Sequence, residues 1–275
     1  MQKFSVLMAF YNKDIPEFLS AAMNSLIEQT YLPSELVLIQ DGPVEKSLEK
    51  VVDDFVLLHK FPIKVIKNEK NLGLAASLAK GLPFCSHELV ARMDADDICF
   101  PDRFEIQIKK MTEVPEIDVL GTWIAEFSSS TSKIENIKTS PKNFEIRKYS
   151  HFRNPINHPS VMFRKSKVLD SGNYRNFQWF EDYELWLRML SRGAVFDNIQ
   201  APLLYFRNDE RFLERRRGKE YAKKEKEVFQ EFRSKKYISD FEYFYGLLMR
   251  KIARLIPKTI LKVVYTHILR RKTGR

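Results

Sequence analysis

The amino-acid sequence predicts an α/β fold: a mostly parallel central sheet flanked by helices, with a basic helical extension at the C-terminus. Three observations carry this. Short apolar runs of strand length alternate with segments of helical period through residue 124, joined by short connections, as parallel βαβ units of a doubly wound sheet require. The chain has 275 residues, 44% of them hydrophobic, enough to bury a sizeable core in one large domain with an appendage. Its net charge of +10 is lopsided: from Tyr205 onward 21 Lys and Arg face 9 Asp and Glu, a net of +12, which leaves −2 for the first 204 residues.

The elements follow in order. Residues 4–10 read as a buried first strand ending in Tyr11-Asn12-Lys13. A helix begins near Asp14-Ile15-Pro16, with Asp14 as its cap and Pro16 in its first turn, and Phe18, Leu19, Ala22, Met23 and Leu26 recur at helical spacing. Residues 36–39 form a second strand, broken by Gln40-Asp41-Gly42-Pro43. A helix with Leu48, Val51, Val52 and Phe55 on one side follows, then a strand at 63–66 and a short helix over 74–82. Residues 89–93 form the fourth strand, 102–112 a helix, and 119–124 the fifth strand. Residues 128–139 read as an exposed loop or hairpin, and Asn154-Pro-Ile-Asn-His-Pro159 as a loop before a strand-like 160–163. An amphipathic helix starts at Phe180-Glu181-Asp182 and stops at Gly193, and 195–199 and 203–206 read as two short strands.

In such sheets ligands bind beyond the carboxyl ends of the strands. Asn12, Asp41, Asn71 and the run Arg92-Met93-Asp94-Ala95-Asp96-Asp97 each fall just after a separate strand, so the topology gathers them on one edge. Polar side chains after each of four strands suit a nucleotide cleft, although the glycine fingerprints of dinucleotide and P-loop sites are absent.

Several of these positions allow two chemistries. Three carboxylates within four residues repel one another, and a hard divalent ion such as Mg²⁺ or Mn²⁺ relieves that repulsion; Asp residues also cap helices in solvated turns. Asp41 suits either a turn or a hydrogen bond from the imide N–H of a uracil-type base. Asn71-Leu72-Gly73 is either a plain helix entry or a place where backbone approaches a ligand. Glu181 and Asp182 complement a helix dipole, or one of them serves as the general base that an acceptor hydroxyl needs. His158 suits a structural role or contact with a phosphate or acceptor. Trp179, Phe180 and Trp186 suit core packing or a sugar-stacking wall.

Taken together, Ala9-Phe10-Tyr11-Asn12, Gln40-Asp41-Gly42, Asn71-Leu72-Gly73, the 92–97 run with Pro101 and Arg103 after it, and Glu181-Asp182 before Leu185-Trp186-Leu187-Arg188 resemble the family 2 glycosyltransferases. These are inverting, nucleotide-sugar-dependent enzymes with a Rossmann-like GT-A fold. The resemblance covers about residues 3–208, and the order of the motifs is more specific than any one of them. His158-Pro159-Ser160-Val161-Met162-Phe163 is similar to the bacterial branch that builds capsule, exopolysaccharide or lipopolysaccharide, including amylovoran-type enzymes.

The resemblance implies a hexosyl transfer from a nucleotide-sugar, UDP-linked on the strength of Asp41, to a glycan or lipid-linked glycan acceptor. It implies a donor site at Phe10, Tyr11, Asn12, Asp41, Asn71, Gly73, Arg92 and Asp94. Asp96 with Asp94 would hold Mg²⁺ or Mn²⁺, and Asp97 would assist in the same loop. Asp182 would be the catalytic base, and Glu181, His158 and Trp186 candidates for acceptor contact. Phe10 departs from the Pro that the family often carries before Tyr-Asn, and the Gln-x-x-Arg-Trp motif of processive synthases is missing, so one sugar per encounter is expected. A nucleotidyltransferase is the rival within the same chemistry, but the glycine- and lysine-rich N-terminal loop it requires is missing.

The expected division is a catalytic domain at 1–208, with a nucleotide-binding half to about 125 and an acceptor half after it, followed by a basic amphipathic tail at 209–275. Arg215-Arg216-Arg217 lies in that tail. So do Phe241, Phe244, Tyr245, Leu248, Ile252 and Leu255 among Arg250, Lys251 and Arg254, and, beyond Pro257, Ile260, Leu261, Val263, Val264, Ile268 and Leu269. Such a pattern suits an anionic membrane surface or a helical cap on the core. Nucleic-acid binding finds no recognised module and is not expected. Cys85 and Cys99 are the only cysteines, which points to a reducing compartment. No signal-peptide pattern opens the chain and no apolar run reaches spanning length. The expectation is a cytoplasmic protein, peripheral on the inner face of the membrane.

Overall fold

β1 (Phe4–Phe10) runs through the centre of the molecule, six of its seven residues buried. α1 (Pro16–Ile27), β2 (Glu35–Gln40), α2 (Lys46–Val56), β3 (Ile63–Lys67), α3 (Leu74–Gly81) and β4 (Leu89–Asp94) complete the βαβ half. β5 (Ile98–Cys99), α4 (Arg103–Glu113), β6 (Val119–Phe127), β7 (Asn136–Lys138), α5 (Asn143–Ser150), β8 (Met162–Arg164), α6 (Lys165–Asp170), α7 (Glu181–Ser191) and β9 (Phe196–Arg207) build the second half. α8 (Lys219–Ser234), α9 (Asp240–Leu255) and β10 (Arg270–Arg271) follow. The structure, a computed structural model, describes residues 2–208, 218–255 and 270–271. Arg215-Arg216-Arg217 and the apolar positions from Ile260 to Leu269 therefore lie outside the described residues.

Among the described residues the strands form one ten-stranded sheet, ordered β10-β7-β6-β8-β4-β1-β2-β3, with β9 on β6 and β5 on β9. β3, β2, β1 and β4 are parallel neighbours, as the alternating pattern requires. β8 enters antiparallel between β4 and β6 and joins the two halves. Two apolar layers sandwich the sheet. One contains Leu19, Met23 and Leu26 of α1 with Phe104 and Met111 of α4, and the other Leu78 of α3 with Leu185, Trp186 and Met189 of α7.

Two expectations need correction. Asp14 does not cap α1; Ile15 holds that position, and the Asp14 carboxylate accepts the Tyr11 N–H at 2.8 Å instead. The two short strands expected after Gly193 are one strand, β9. Its register against β6 shifts between Thr122 and Trp123, opposite the step from Ile199 to Pro202, and Pro202 has no N–H to give the ladder. The exposed stretch before α5, read as a loop or hairpin, is a hairpin: β7 returns along β6.

The C-terminal extension is docked on the preceding α/β part. Val228, Phe229 and Phe232 of α8 are buried against Phe180, Tyr183 and Leu187 at α7. Among the described residues no helix is long and apolar enough to cross a membrane.

Candidate active site

The carboxyl ends of β1, β2 and β4 open on one edge of the sheet, and the polar turns stand there. Asp41 is buried at the end of β2. Its Oδ1 accepts the Leu72 N–H at 2.8 Å and the Asn68 amide at 2.9 Å, and its Oδ2 accepts the Gly73 N–H at 2.9 Å. A carboxylate offers about four acceptor positions, so one remains for a ligand N–H. The same bonds place the loop of Asn71 and Gly73 beside Asp41. Gly42 makes this approach possible: its φ is +90°, and a Cβ there would stand 2.6 Å from the Asn71 nitrogen. Gly73, at φ +87°, is required by its backbone conformation, since nothing would meet its Cβ. Asn12 accepts the Glu45 N–H at 2.9 Å and ties the turn after β1 to the start of α2. Tyr11 is exposed beside it, and Phe10 is buried in the core behind.

At the end of β4 the ligand oxygens of Asp94, Asp96 and Asp97 lie within 4.8 Å of one another. Asp94 forms a two-pronged pair with Arg92, one arm at 2.7 Å. Arg92 is itself buried, beneath the cleft floor rather than on it, so its reach toward a ligand runs through Asp94. Asp97 is fully buried; its Oδ1 accepts the Arg207 N–H at 2.9 Å and its Oδ2 has no partner. Burial, and next the neighbouring charges of Asp96 and Asp94, drive the Asp97 carboxyl well above the usual carboxylate range. Asp96 is exposed at the cleft surface, yet its carboxyl is desolvated against the loop and, with Asp94 beside it, pushed up to about 6. An unpartnered buried oxygen and three crowded carboxylates form the all-oxygen donor set that a hard divalent cation takes.

Asp182 stands in the first turn of α7, buried. Its Oδ2 accepts the Asn154 amide at 2.5 Å and its Oδ1 the Tyr183 N–H at 2.7 Å. Burial raises the Asp182 carboxyl against these two donors and Arg92. Burial and the charge of Asp182 push Glu181 up to about 7. Arg92 acts electrostatically on Asp96, Asp97, Glu181 and Asp182 together, so the acidic loop and the acidic start of α7 share one electrostatic neighbourhood.

Residues 5–172 match the family model described as "Glycosyl transferase family 2". The chain belongs to glycosyl transferase family 2. This glycosyltransferase is 39% identical over 269 residues to an Escherichia coli UDP-Gal:alpha-D-GlcNAc-diphosphoundecaprenol beta-1,3-galactosyltransferase, covering 98% of this chain and 97% of the relative. It is 38% identical over 266 residues to the amylovoran biosynthesis glycosyltransferase AmsE of Erwinia amylovora, covering 95% and 97%. Among solved structures it is similar to S. aureus TarS 1–349 in complex with UDP-GlcNAc, at TM-score 0.65 and 16% identity, covering 92% of this chain and 72% of that one. It is also similar to the mannosyltransferase PcManGT of Pyrobaculum calidifontis in complex with GDP-Man and Mn²⁺, at TM-score 0.65 and 14% identity, covering 97% and 75%. The fold is GT-A, and the enzyme is a nucleotide-sugar-dependent glycosyltransferase of the kind found in bacterial polysaccharide biosynthesis.

Two residues of the transferase's candidate set stand in its core. Trp186 is fully buried, ringed by His158 and Phe196, and its ring does not face the cleft. His158 is buried with its Nε2 at 3.0 Å from the Tyr174 hydroxyl, and burial together with Arg92 lowers its pKa well below the ordinary value, so the ring is neutral.

Other residues shape the site without a sequence signal of their own. Arg103, matched only as part of a motif, is fully buried and donates to the Arg92 carbonyl at 2.8 Å, holding the end of β4 from below. Gln107, one turn on, donates to the Ser160 carbonyl at 2.9 Å. Arg207 donates its Nε to the Asp96 carbonyl at 3.0 Å, and its guanidinium lies 3.8 Å from the ring centroid of Phe18. Gln107 carries no motif in the sequence, and Arg207 lies 110 residues from Asp97 and gives no hint either.

Proposed function

We propose that this enzyme transfers a hexose from a UDP-sugar to a hydroxyl of a lipid-linked glycan, with inversion, in the assembly of a bacterial surface polysaccharide. The observation that carries the reading is the presence of two acidic groups in the field of one buried arginine, Arg92. One is an oxygen cluster suited to a diphosphate and its cation, and the other is a buried carboxylate with a fixed orientation. The curated relatives add the donor and acceptor class: one is named for UDP-Gal and a diphosphoundecaprenol-linked sugar, the other for amylovoran biosynthesis.

Asp41 accepts the N–H of the base with its remaining acceptor position, and Tyr11, Asn12, Asn71 and Gly73 border the nucleoside. Asp94, Asp96 and Asp97 would hold Mg²⁺ or Mn²⁺, which supplies positive charge for the diphosphate leaving group. Asp182 accepts the proton of the acceptor hydroxyl as its oxygen bonds to the anomeric carbon. The bond from that carbon to the diphosphate oxygen breaks on the opposite face, and its electrons leave with the nucleoside diphosphate. Glu181, next to the base, faces the acceptor side.

The C-terminal extension supports a place at an anionic membrane surface. Phe241, Phe244, Tyr245, Leu248, Ile252 and Leu255 are exposed along one side of α9, with Lys251 at the margin of that stripe. A side of this kind lies in the headgroup region of a bilayer. The reading places the enzyme in the cytoplasm, peripheral on the inner face of the membrane, and the exposed stripe and the relative's lipid-linked acceptor support it.

The deciding experiment is a screen of UDP- and GDP-sugars, starting with UDP-galactose and a GlcNAc-diphospho-lipid acceptor, run with the wild type and Asp182→Asn. The variant is expected to bind UDP with Mn²⁺ as the wild type does and to lose transfer by about a thousandfold or more. Transfer at near wild-type rates in Asp182→Asn would refute Asp182 as the base.

A further inference from the structure

Among the described residues, Asp182 receives a side-chain hydrogen bond from Asn154 alone. The loop that carries Asn154 is fixed from several directions. Pro155 follows it and restricts its backbone to extended conformations. The Pro155 carbonyl accepts the Asn198 amide at 3.1 Å, and Asn157 donates to the Thr122 carbonyl and the Ser140 hydroxyl, each at 2.9 Å. Ile156 is buried against Gly121, where a Cβ would come within 3.1 Å of it. The orientation of the Asn154 amide is also settled: its Oδ1 accepts the Ile156 N–H at 3.2 Å, so the NH₂ group is the one that faces Asp182.

We infer that Asn154 is a positioning residue for the reaction: its amide fixes the rotation of the Asp182 carboxylate so that one lone pair of a defined oxygen is presented to the acceptor hydroxyl. This rests on Asp182 being the base. The geometry divides the labour between the two oxygens. Oδ1 is held by the Tyr183 N–H of its own helix, which any first-turn side chain could use. Oδ2 is held from across the cleft wall by a loop that belongs to the sheet's second half. A carboxylate held at only one oxygen would swing about its χ2 torsion, which is soft for Asp. Held at both, it cannot turn away while an acceptor arrives.

Asn154 also sets the charge of the base. The groups that act on Asp182 are the Asn154 amide, the Tyr183 N–H, Arg92 and Lys138, which favour the carboxylate, against burial, which disfavours it. Glu181 adds an adjacent acid, and the Tyr174 hydroxyl lies within the same field. Taking away the Asn154 donor leaves burial less opposed, so the proton stays on Asp182 to higher pH.

The test uses the full chain with Asn154→Ala and the near-isosteric Asn154→Asp, beside Asp182→Asn. UDP affinity with Mn²⁺ and the pH dependence of kcat with UDP-galactose and a GlcNAc-diphospho-lipid acceptor are measured. Both Asn154 variants are expected to keep UDP affinity, to lose roughly tenfold or more in kcat at pH 7, and to move the acidic limb of the profile to higher pH, further in Asn154→Asp. If Asn154→Ala does not fold, Asn154→Asp carries the test alone. An unmoved limb with wild-type kcat overturns the positioning role, as does a parallel loss of kcat and UDP affinity with the limb unmoved, which marks a merely structural contact. Wild-type turnover in Asp182→Asn overturns the base assignment and this inference with it.

Discussion

At the scale of single residues, the site is a set of carboxylates kept together by a few buried cations and amides. The acidic loop after β4 could be read from its composition and from its place after a strand, but its supports could not. Arg207 approaches it from the far end of β9, and its Nε bond to the Asp96 carbonyl depends on that distant strand being in place. Its guanidinium stacks between Phe18 and Phe127, at 3.8 and 4.5 Å from their centroids. Arg207→Ala should therefore loosen the loop while leaving the backbone bond to Asp97 intact, weakening Mn²⁺ binding about tenfold with little change in fold. Calorimetric titration with Mn²⁺ measures this, and unchanged affinity would make Arg207 a surface ornament. In the same titration the wild type should bind Mn²⁺ less well at pH 5.5 than at 7.5. A carboxyl raised to about 6, as at Asp96, still carries its proton below that pH and cannot ligate.

At the scale of elements, the first half of the chain was legible because each strand and helix announced itself by period and ended in a distinct turn. β1, β2, β3, β4 and their helices stand within a residue or two of expectation. The second half was less so. α5 and α6 are short, at 8 and 6 residues, too few turns for a period to emerge. β9 looked like two strands because Pro202 interrupts its hydrogen-bonding pattern, yet the strand continues through a register shift. Trp186 could not be told from a sugar-stacking residue by sequence, because an aromatic on an amphipathic helix reads the same whether its neighbours are core or glycan; its burial decides. The apolar stripe of α9 was legible as a period, but only its exposure makes it a surface. Replacing Phe244 and Leu248 with Glu should abolish pelleting with phosphatidylglycerol vesicles and leave UDP binding unchanged. Each exposed apolar side chain removed from a bilayer interface forfeits about 1 kcal/mol or more. Pelleting that survives the double substitution would locate membrane contact elsewhere.

At the scale of the whole molecule, the extension and the catalytic part share one structure around α7. The inner face of that helix packs Leu185, Trp186 and Met189 into the sheet's core, and its outer face packs Tyr183 and Leu187 against α8. The Tyr183 hydroxyl donates to the Ser150 carbonyl at 2.7 Å and its ring meets Phe232, so the residue next to Asp182 is gripped from both sides. Arg250 of α9 adds a second clasp, donating to the Phe152 carbonyl two residues before Asn154. The α8–α9 pair is therefore a brace for the first turn of α7 and for the loop that faces it, whatever its outer surface contacts. A chain ending at Asn208 would expose Phe180, Tyr183 and Leu187 and lose the burial of Val228, Phe229 and Phe232. At about 1.5–3 kcal/mol for each large side chain returned to water, the loss is comparable to the whole stability of an ordinary domain. The truncated chain is expected to melt many degrees lower, or to be recovered only as aggregate, and any folded fraction should bind UDP with Mn²⁺ yet transfer poorly, because the apolar cluster that buries α8 is built with residues 177–187, away from the strand ends that carry Asp41 and Asp94. A truncated chain with unchanged Tm and turnover would show that the catalytic part stands alone and that α8 and α9 serve only as an anchor.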